Sequence, residues 1–156
     1  LLEEDRFALG GRQGLTDAYP ALIEMQKRRI REALDGKKLA LEFDGSLVNH
    51  NIEAVLARFV GADHRITTLC IQASRHEAAL NATGLAQYLG AGIQYAGRDR
   101  SDVVVGIADR APVNPAALRK FGNVTPQLQL HIPFFGCLSH TCNNLMGQRF
   151  SPWTSS

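Results

Sequence analysis

Two aspartates stand where a strand-like run gives way to a turn. Asp44 follows Leu39-Ala40-Leu41-Glu42-Phe43, in which apolar residues alternate, and Gly45 leaves room beside it. Asp109 closes Val103-Val104-Val105-Gly106-Ile107-Ala108, a β-branched and almost wholly apolar run. If those strands are neighbours, the two carboxylates converge at one edge of a sheet. Paired carboxylates bind hard divalent cations such as Mg²⁺. Two such ions about 3.5–4 Å apart activate water and steady the leaving oxygen in phosphodiester cleavage. The competing reading is turn chemistry, in which each Asp ends a strand or caps the next helix.

Other residues could carry chemistry. Cys137 and His140 have metal-ligand spacing, with Cys142 and His131 near enough to join a zinc site, although zinc needs four ligands, or three and a water. A cysteine of this kind also packs as a small apolar residue. Lys27, Arg28, Arg29 and Arg31 form a basic run that is either a solvated helix face or a contact to nucleic acid. His50, His64 and His76 have no obvious partners and are expected on the surface or in loops. Neither a phosphate-binding Walker pattern nor a dinucleotide fingerprint is present, and no Gly-x-Ser-x-Gly occurs.

The elements that must position these groups follow from periodicity. Thr16 or Asp17 caps a first helix with Pro20 in its first turn, and Leu22, Ile23, Ile30, Ala33 and Leu34 recur at helical spacing before Gly36 stops it. Residues 1–15 read as a loose lead-in. Strands are expected at 38–44, 52–60 and 65–72, the second and third joined by a turn at Gly61-Ala62-Asp63-His64. A helix capped by Ser74 runs from about His76 to Leu89. Val103 to Asp109 reads as a strand buried on both faces. A short helix (116–121), a strand (128–134) and a last helix (139–147) follow, and 151–156 is a polar tail. Strands in a hairpin-linked row, followed by alternating strands and helices, predict one α/β domain over 16–150 with a mixed sheet flanked by helices.

Composition sets the wider limits. A chain of 156 residues with 45% hydrophobic and 21% charged residues is ordinary for one globular domain. The net charge of +2 singles out no nucleic-acid partner. The charge is unevenly spread, however: after Asp109 the only formal charges are Arg110, Arg119, Lys120 and Arg149. An acid-free basic end suits phosphate contacts, and equally a protein surface. Three cysteines without a disulfide framework favour an intracellular, reducing compartment. No stretch is long and apolar enough to span a membrane, and the acidic start does not resemble a signal peptide. The lack of an initiating Met suggests a fragment or processed form.

Three segments together resemble the hAT (hobo/Activator) transposase family. Leu39-Ala40-Leu41-Glu42-Phe43-Asp44-Gly45-Ser46 resembles its first catalytic strand, which ends in Asp-Gly. Ala108-Asp109-Arg110-Ala111-Pro112-Val113-Asn114 resembles its second acidic motif, with Ala two residues and Asn five residues after the Asp. Cys137-Leu138-Ser139-His140-Thr141-Cys142-Asn143-Asn144 resembles its Cys-x-x-His block. The segments fall in family order over residues 38–146. Arg110 departs from the family, where a small or amide residue is usual, and Cys142 stands where Leu is usual.

The resemblance implies a ribonuclease-H-like fold, with a three-stranded antiparallel meander and further parallel strands, truncated before the last catalytic element. It implies Asp44 and Asp109 as the first two acids of a Mg²⁺-dependent site, DNA as partner and the nucleus as compartment. The third acid of that family is a distant Glu, and no acidic residue follows Asp109 here. Arg110, pointing inward, would repel a metal ion. Ribonucleases H place a Glu on the helix after the meander, and Glu77 is the residue at that position. The expectation is therefore a transposase-derived domain, catalytically incomplete, acting as a structural or binding unit in a larger protein complex. The alternatives are a fragment of an active two-metal-ion transposase and a small nuclease using Asp44, Glu77 and Asp109.

Overall fold

The computed structural model describes residues 11–46, 51–125 and 127–138. His140, Cys142, the helix expected at 139–147 and the tail at 151–156 lie outside the described residues, as do the first ten residues and His50.

The elements are α1 (Gly11–Leu34), β1 (Leu39–Ser46), β2 (Asn51–Val60), β3 (Ile66–His76), α2 (Ala82–Tyr95), β4 (Val103–Ala108), α3 (Val113–Gly122), β5 (Asn123–Thr125), β6 (Leu128–Gln129) and β7 (Phe134–Gly136). Five strands form one sheet in the order β3-β2-β1-β4-β7, and β5 and β6 make a separate two-stranded sheet. β1, β2 and β3 are an antiparallel meander, whereas β1–β4 and β4–β7 are parallel. The protein is thus α/β, with a mixed sheet flanked by helices. Among the described residues, no helix is long and apolar enough to cross a membrane.

Strand alternation explains the core. Leu39, Leu41 and Phe43 of β1 and Val55, Ala57 and Phe59 of β2 point to one face and are buried. α2 buries Leu85, Ala86, Tyr88, Leu89, Gly92 and Ile93, a stripe at helical spacing. α3 adds Ala117, Leu118 and Phe121. Gly106 of β4 admits the Leu118 side chain, which occupies the space a Cβ would take. Arg100 ties the far end together, donating to the Phe121 carbonyl at 3.0 Å and lying over the Phe121 ring.

Several expectations need correction. α1 begins at Gly11, not at Thr16 or Asp17, and Pro20 lies in its interior, where the missing N–H and the ring clash oppose the helix. Among the described apolar side chains of α1, only Ile30 and Leu34 are buried; Leu22 and Ile23 are exposed. The stop at Gly36 is as expected, with φ of +64° in the left-handed region. β3 continues through Arg75 and His76, which pair with Ile52 and Asn51. Ser74 therefore caps nothing: Asn81 caps α2, its side chain accepting from Thr83 N and Gly84 N. β4 is not buried on both faces, since Val104 is 50% exposed. The strand expected at 128–134 is divided in two. Pro133 has no N–H to give a sheet, so the chain leaves β6 at Gln129 and joins the main sheet only at Phe134.

Candidate carboxylate site

The parallel pairing of β1 with β4 matches Glu42 to Ile107. Two residues further along each chain, the same register sets Asp44 beside Asp109, on strands whose usual spacing is about 4.8 Å. The convergence expected from the sequence is therefore what this register implies when continued past its last pair, and the charges of both aspartates act on Glu53. Asp44 is exposed and Asp109 partly so.

Asp109 is held by its own motif. Its Oδ1 accepts from Ala111 N at 2.9 Å and from Asn114 Nδ2 at 2.5 Å. Asn114 Nδ2 also approaches the Asp109 carbonyl at 3.4 Å. The spacing of Asp, Ala and Asn is the signature of this turn, which fixes the carboxylate just past β4. Turn chemistry and a role as a ligand are therefore compatible, because both turn bonds fall on Oδ1.

A third acid joins them that sequence reasoning passed over. Glu53 of β2 is the Cα partner of Gly45, and an added Cβ at Gly45 would stand 2.7 Å from Glu53 Oε2. The glycine after Asp44 thus makes space for a carboxylate from the next strand. Burial, then the negative charges of Asp44 and Asp109, push the Glu53 carboxyl up from 4.5 to about 7. Glu53 is the one acid in β2, and that was the available signal. Its significance depends on hairpin register, which the sequence does not display.

Glu53 and Asp109 line a cavity of about 210 Å³ together with Gly45, His76, Asn114 and apolar side chains that include Leu80, Leu85 and Val113. His76 is not the loop residue expected. It ends β3, and its ring meets Tyr88 edge-on with centroids 5.0 Å apart. His64, by contrast, does sit in the turn after β2, with φ of +60°. Glu77 is exposed in the connection between β3 and α2, not on a helix, and does not line the cavity.

Arg110 turns away from the acids. A Cβ on Gly136 of β7 would lie 2.6 Å from Arg110 Nε, so the side chain covers the strand on the opposite side of β4 from β1. The inward-pointing cation considered from the sequence is not what the structure has.

The basic run of α1 is largely engaged within the chain. Lys27 pairs with Glu24 at 3.3 Å and lies over the Tyr95 ring. Arg28 approaches Glu32 at 3.9 Å, and Arg31 donates to the Tyr95 carbonyl at 3.3 Å. Arg29 is exposed. Cys137 extends the β4–β7 contact through its N–H, which donates to the Ala108 carbonyl at 2.6 Å. Its expected zinc partner His140 is outside the described residues, and His131 lies exposed before β7.

Among the described residues, no three His, Cys, Asp or Glu side chains are closed around one point that would hold a metal ion. Mg²⁺ does not require that closure, because it keeps several waters and binds through one or two carboxylates plus substrate phosphates. The oxygen donors of Asp44 and Asp109 and the negative charge felt by Glu53 fit such an ion.

No known family matches the chain, and no curated protein matches it.

Proposed function

We propose that the chain is a transposase-derived, ribonuclease-H-like domain that holds a divalent cation, Mg²⁺, between Asp44 and Asp109. Through that ion it grips the phosphate backbone of DNA as a binding unit within a larger protein assembly. The observation that carries this reading is the parallel register of β1 against β4, which, continued two residues past its last pair of Glu42 and Ile107, would bring the two aspartates together. The strand order β3-β2-β1-β4-β7, with β2 alone antiparallel, supports the ribonuclease-H-like assignment. Arg110, lying over Gly136, leaves the edge open to a cation. A bound ion would supply positive charge for phosphate oxygens, while Asn114 keeps Asp109 oriented.

Calorimetric titration with Mg²⁺ and Mn²⁺ tests the reading, followed by anisotropy of a labelled DNA duplex with and without the metal. Asp44→Asn and Asp109→Asn each abolish metal binding and the metal-dependent part of DNA binding. A folded protein that binds neither ion at millimolar concentration ends the proposal. Glu53 favours a second reading, a nuclease using Asp44, Glu53 and Asp109. Metal-dependent cleavage of DNA or of an RNA–DNA hybrid, lost in Glu53→Gln, would establish it in place of the first.

A further inference from the structure

Between α2 and the end of α3 lies an open cleft of about 260 Å³, lined by Thr83, Ala86, Gln87, Arg100, Lys120 and Asn123. Two cations and three neutral polar side chains share this space, and among the described residues no acid lines it. Arg100 is fixed there from both helices. Its Nη1 donates to the Phe121 carbonyl at 3.0 Å and reaches the Asn123 carbonyl at 3.5 Å, and its guanidinium lies over the Phe121 ring. Gly90 of α2 leaves it room, since a Cβ there would stand 3.0 Å from Nη2. Lys120 is exposed and makes no hydrogen bond or ion pair with the described residues. It belongs to the stretch after Asp109 that contains no acid. Asp99, the acid beside Arg100 in sequence, does not line the cleft, and its Oδ1 accepts from Ser101 N at 2.8 Å.

A lone exposed lysine is a solvated charge. Sharing a cleft with a guanidinium that is already held in place, it can act on one anion. We propose that Arg100 and Lys120, with Thr83, Gln87 and Asn123, form a pocket that takes a phosphate group without a metal ion. Arginine, lysine, threonine, glutamine and asparagine are side chains that contact phosphate oxygens in nucleic-acid complexes, and a guanidinium ordered beforehand loses little freedom on binding. The pocket adds to the proposed DNA reading a contact that needs no ion, and it rests on that reading only for the source of the phosphate. Along α3, Lys120 stands six residues from Asn114, about 9 Å of helix at roughly 1.5 Å per residue, so one strand can reach both the carboxylate edge and the cleft.

The test is made in EDTA, which removes metal-dependent binding. In ¹H–¹⁵N spectra of the full chain, inorganic phosphate shifts the amides of Thr83, Gln87, Lys120 and Asn123, and acetate at equal ionic strength does not. A DNA duplex that shifts the same amides identifies nucleic acid as the source; phosphate binding without duplex binding identifies a small phosphate ligand. Lys120→Gln weakens phosphate about threefold and, where the duplex binds, lowers the slope of log K against log salt by about 0.9. Arg119→Gln, which removes the same charge from an exposed neighbour outside the cleft, leaves both unchanged. Gln87→Glu, which puts a negative charge into the cleft at an exposed position, abolishes binding. Equal losses in Lys120→Gln and Arg119→Gln, or shifts as large with acetate as with phosphate, overturn the pocket, as does a folded wild type whose amides do not respond. Mg²⁺-dependent DNA binding that persists in that case leaves the proposed function standing. Binding in EDTA without any response to metal removes that function and leaves the pocket.

Discussion

Replacing Glu53 by Gln should make the metal-free protein more stable, in a pH-dependent way. The folded state holds the Glu53 proton more tightly than the unfolded chain, since burial and the charges of Asp44 and Asp109 raise its pKa from 4.5 to about 7. The folded state then binds more protons than the unfolded one between those values, and stability falls as pH rises through that window. The penalty is absent below pH 4.5 and complete above about 7. Complete ionisation would cost about 3 kcal/mol at roughly 1.4 kcal/mol per pH unit. Glu53 is only half-buried, so solvent screening brings this to about 1–2 kcal/mol. For a domain of this size that is about 3–6 °C in melting temperature. Thermal melts of wild type and Glu53→Gln in EDTA at pH 8.5 and 4.5 measure it. The variant melts higher at pH 8.5, and the gap closes at pH 4.5. Equal melting at pH 8.5, or a less stable variant, would refute the claim that the three carboxylates share one field.

Three further substitutions test the surroundings of the site. Asn114→Ala removes the amide that donates to Asp109 Oδ1 and costs about 1–2 kcal/mol in urea denaturation. Asp102→Asn weakens a junction in which the carboxylate meets Lys38 at 3.2 Å and Arg98 at 2.9 Å. It lowers stability by about 1–2 kcal/mol at pH 7. Burial raises the Asp102 pKa, but the Asp99 N–H, Lys38 and Arg98 outweigh it and the net shift is downward. This contribution is present above pH 3.8 and lost as pH falls through the lower folded value, so wild type and variant converge in acid. Gly106→Ala drives a methyl group into Leu118 and costs about 1–3 kcal/mol, read from the denaturant midpoint.

The parts of the fold that the sequence displayed were those governed by short-range rules. Alternation marked β1, the Gly61–His64 turn marked the β2–β3 hairpin, and Gly36 marked the end of α1. Boundaries failed where a nearby competitor won. Asn81 offers α2 a better-placed cap than Ser74, whose strand pairs with β2 through His76. Pro133 breaks a run that composition alone reads as continuous. The site was half legible for the same reason. Asp44 lies near the end of β1, which runs on to Ser46, and Asp109 lies just past β4, so only the sheet order had to be supplied. Glu53 and His76 enter through register, a property of pairing between strands that no local pattern contains.

The energetics also bear on why such a cluster exists. Glu53 at about 7 is a group that the fold holds against its own preference. Gly45, where any side chain would meet Glu53, is spent on bringing that carboxylate to the aspartates. Asn114 and Ala111 N then fix Asp109 beside them instead of neutralising it with a cation. Arg110, the nearest arginine in sequence, is turned to the far side of β4. A fold selected for stability alone would pair these acids or replace them with amides. Local arrangements that cost stability concentrate at functional sites, and a cation bound as proposed would offset the repulsion among three carboxylates. The same reasoning separates this edge from the Asp102 junction, where each acid already has its basic partner and nothing further is required to bind.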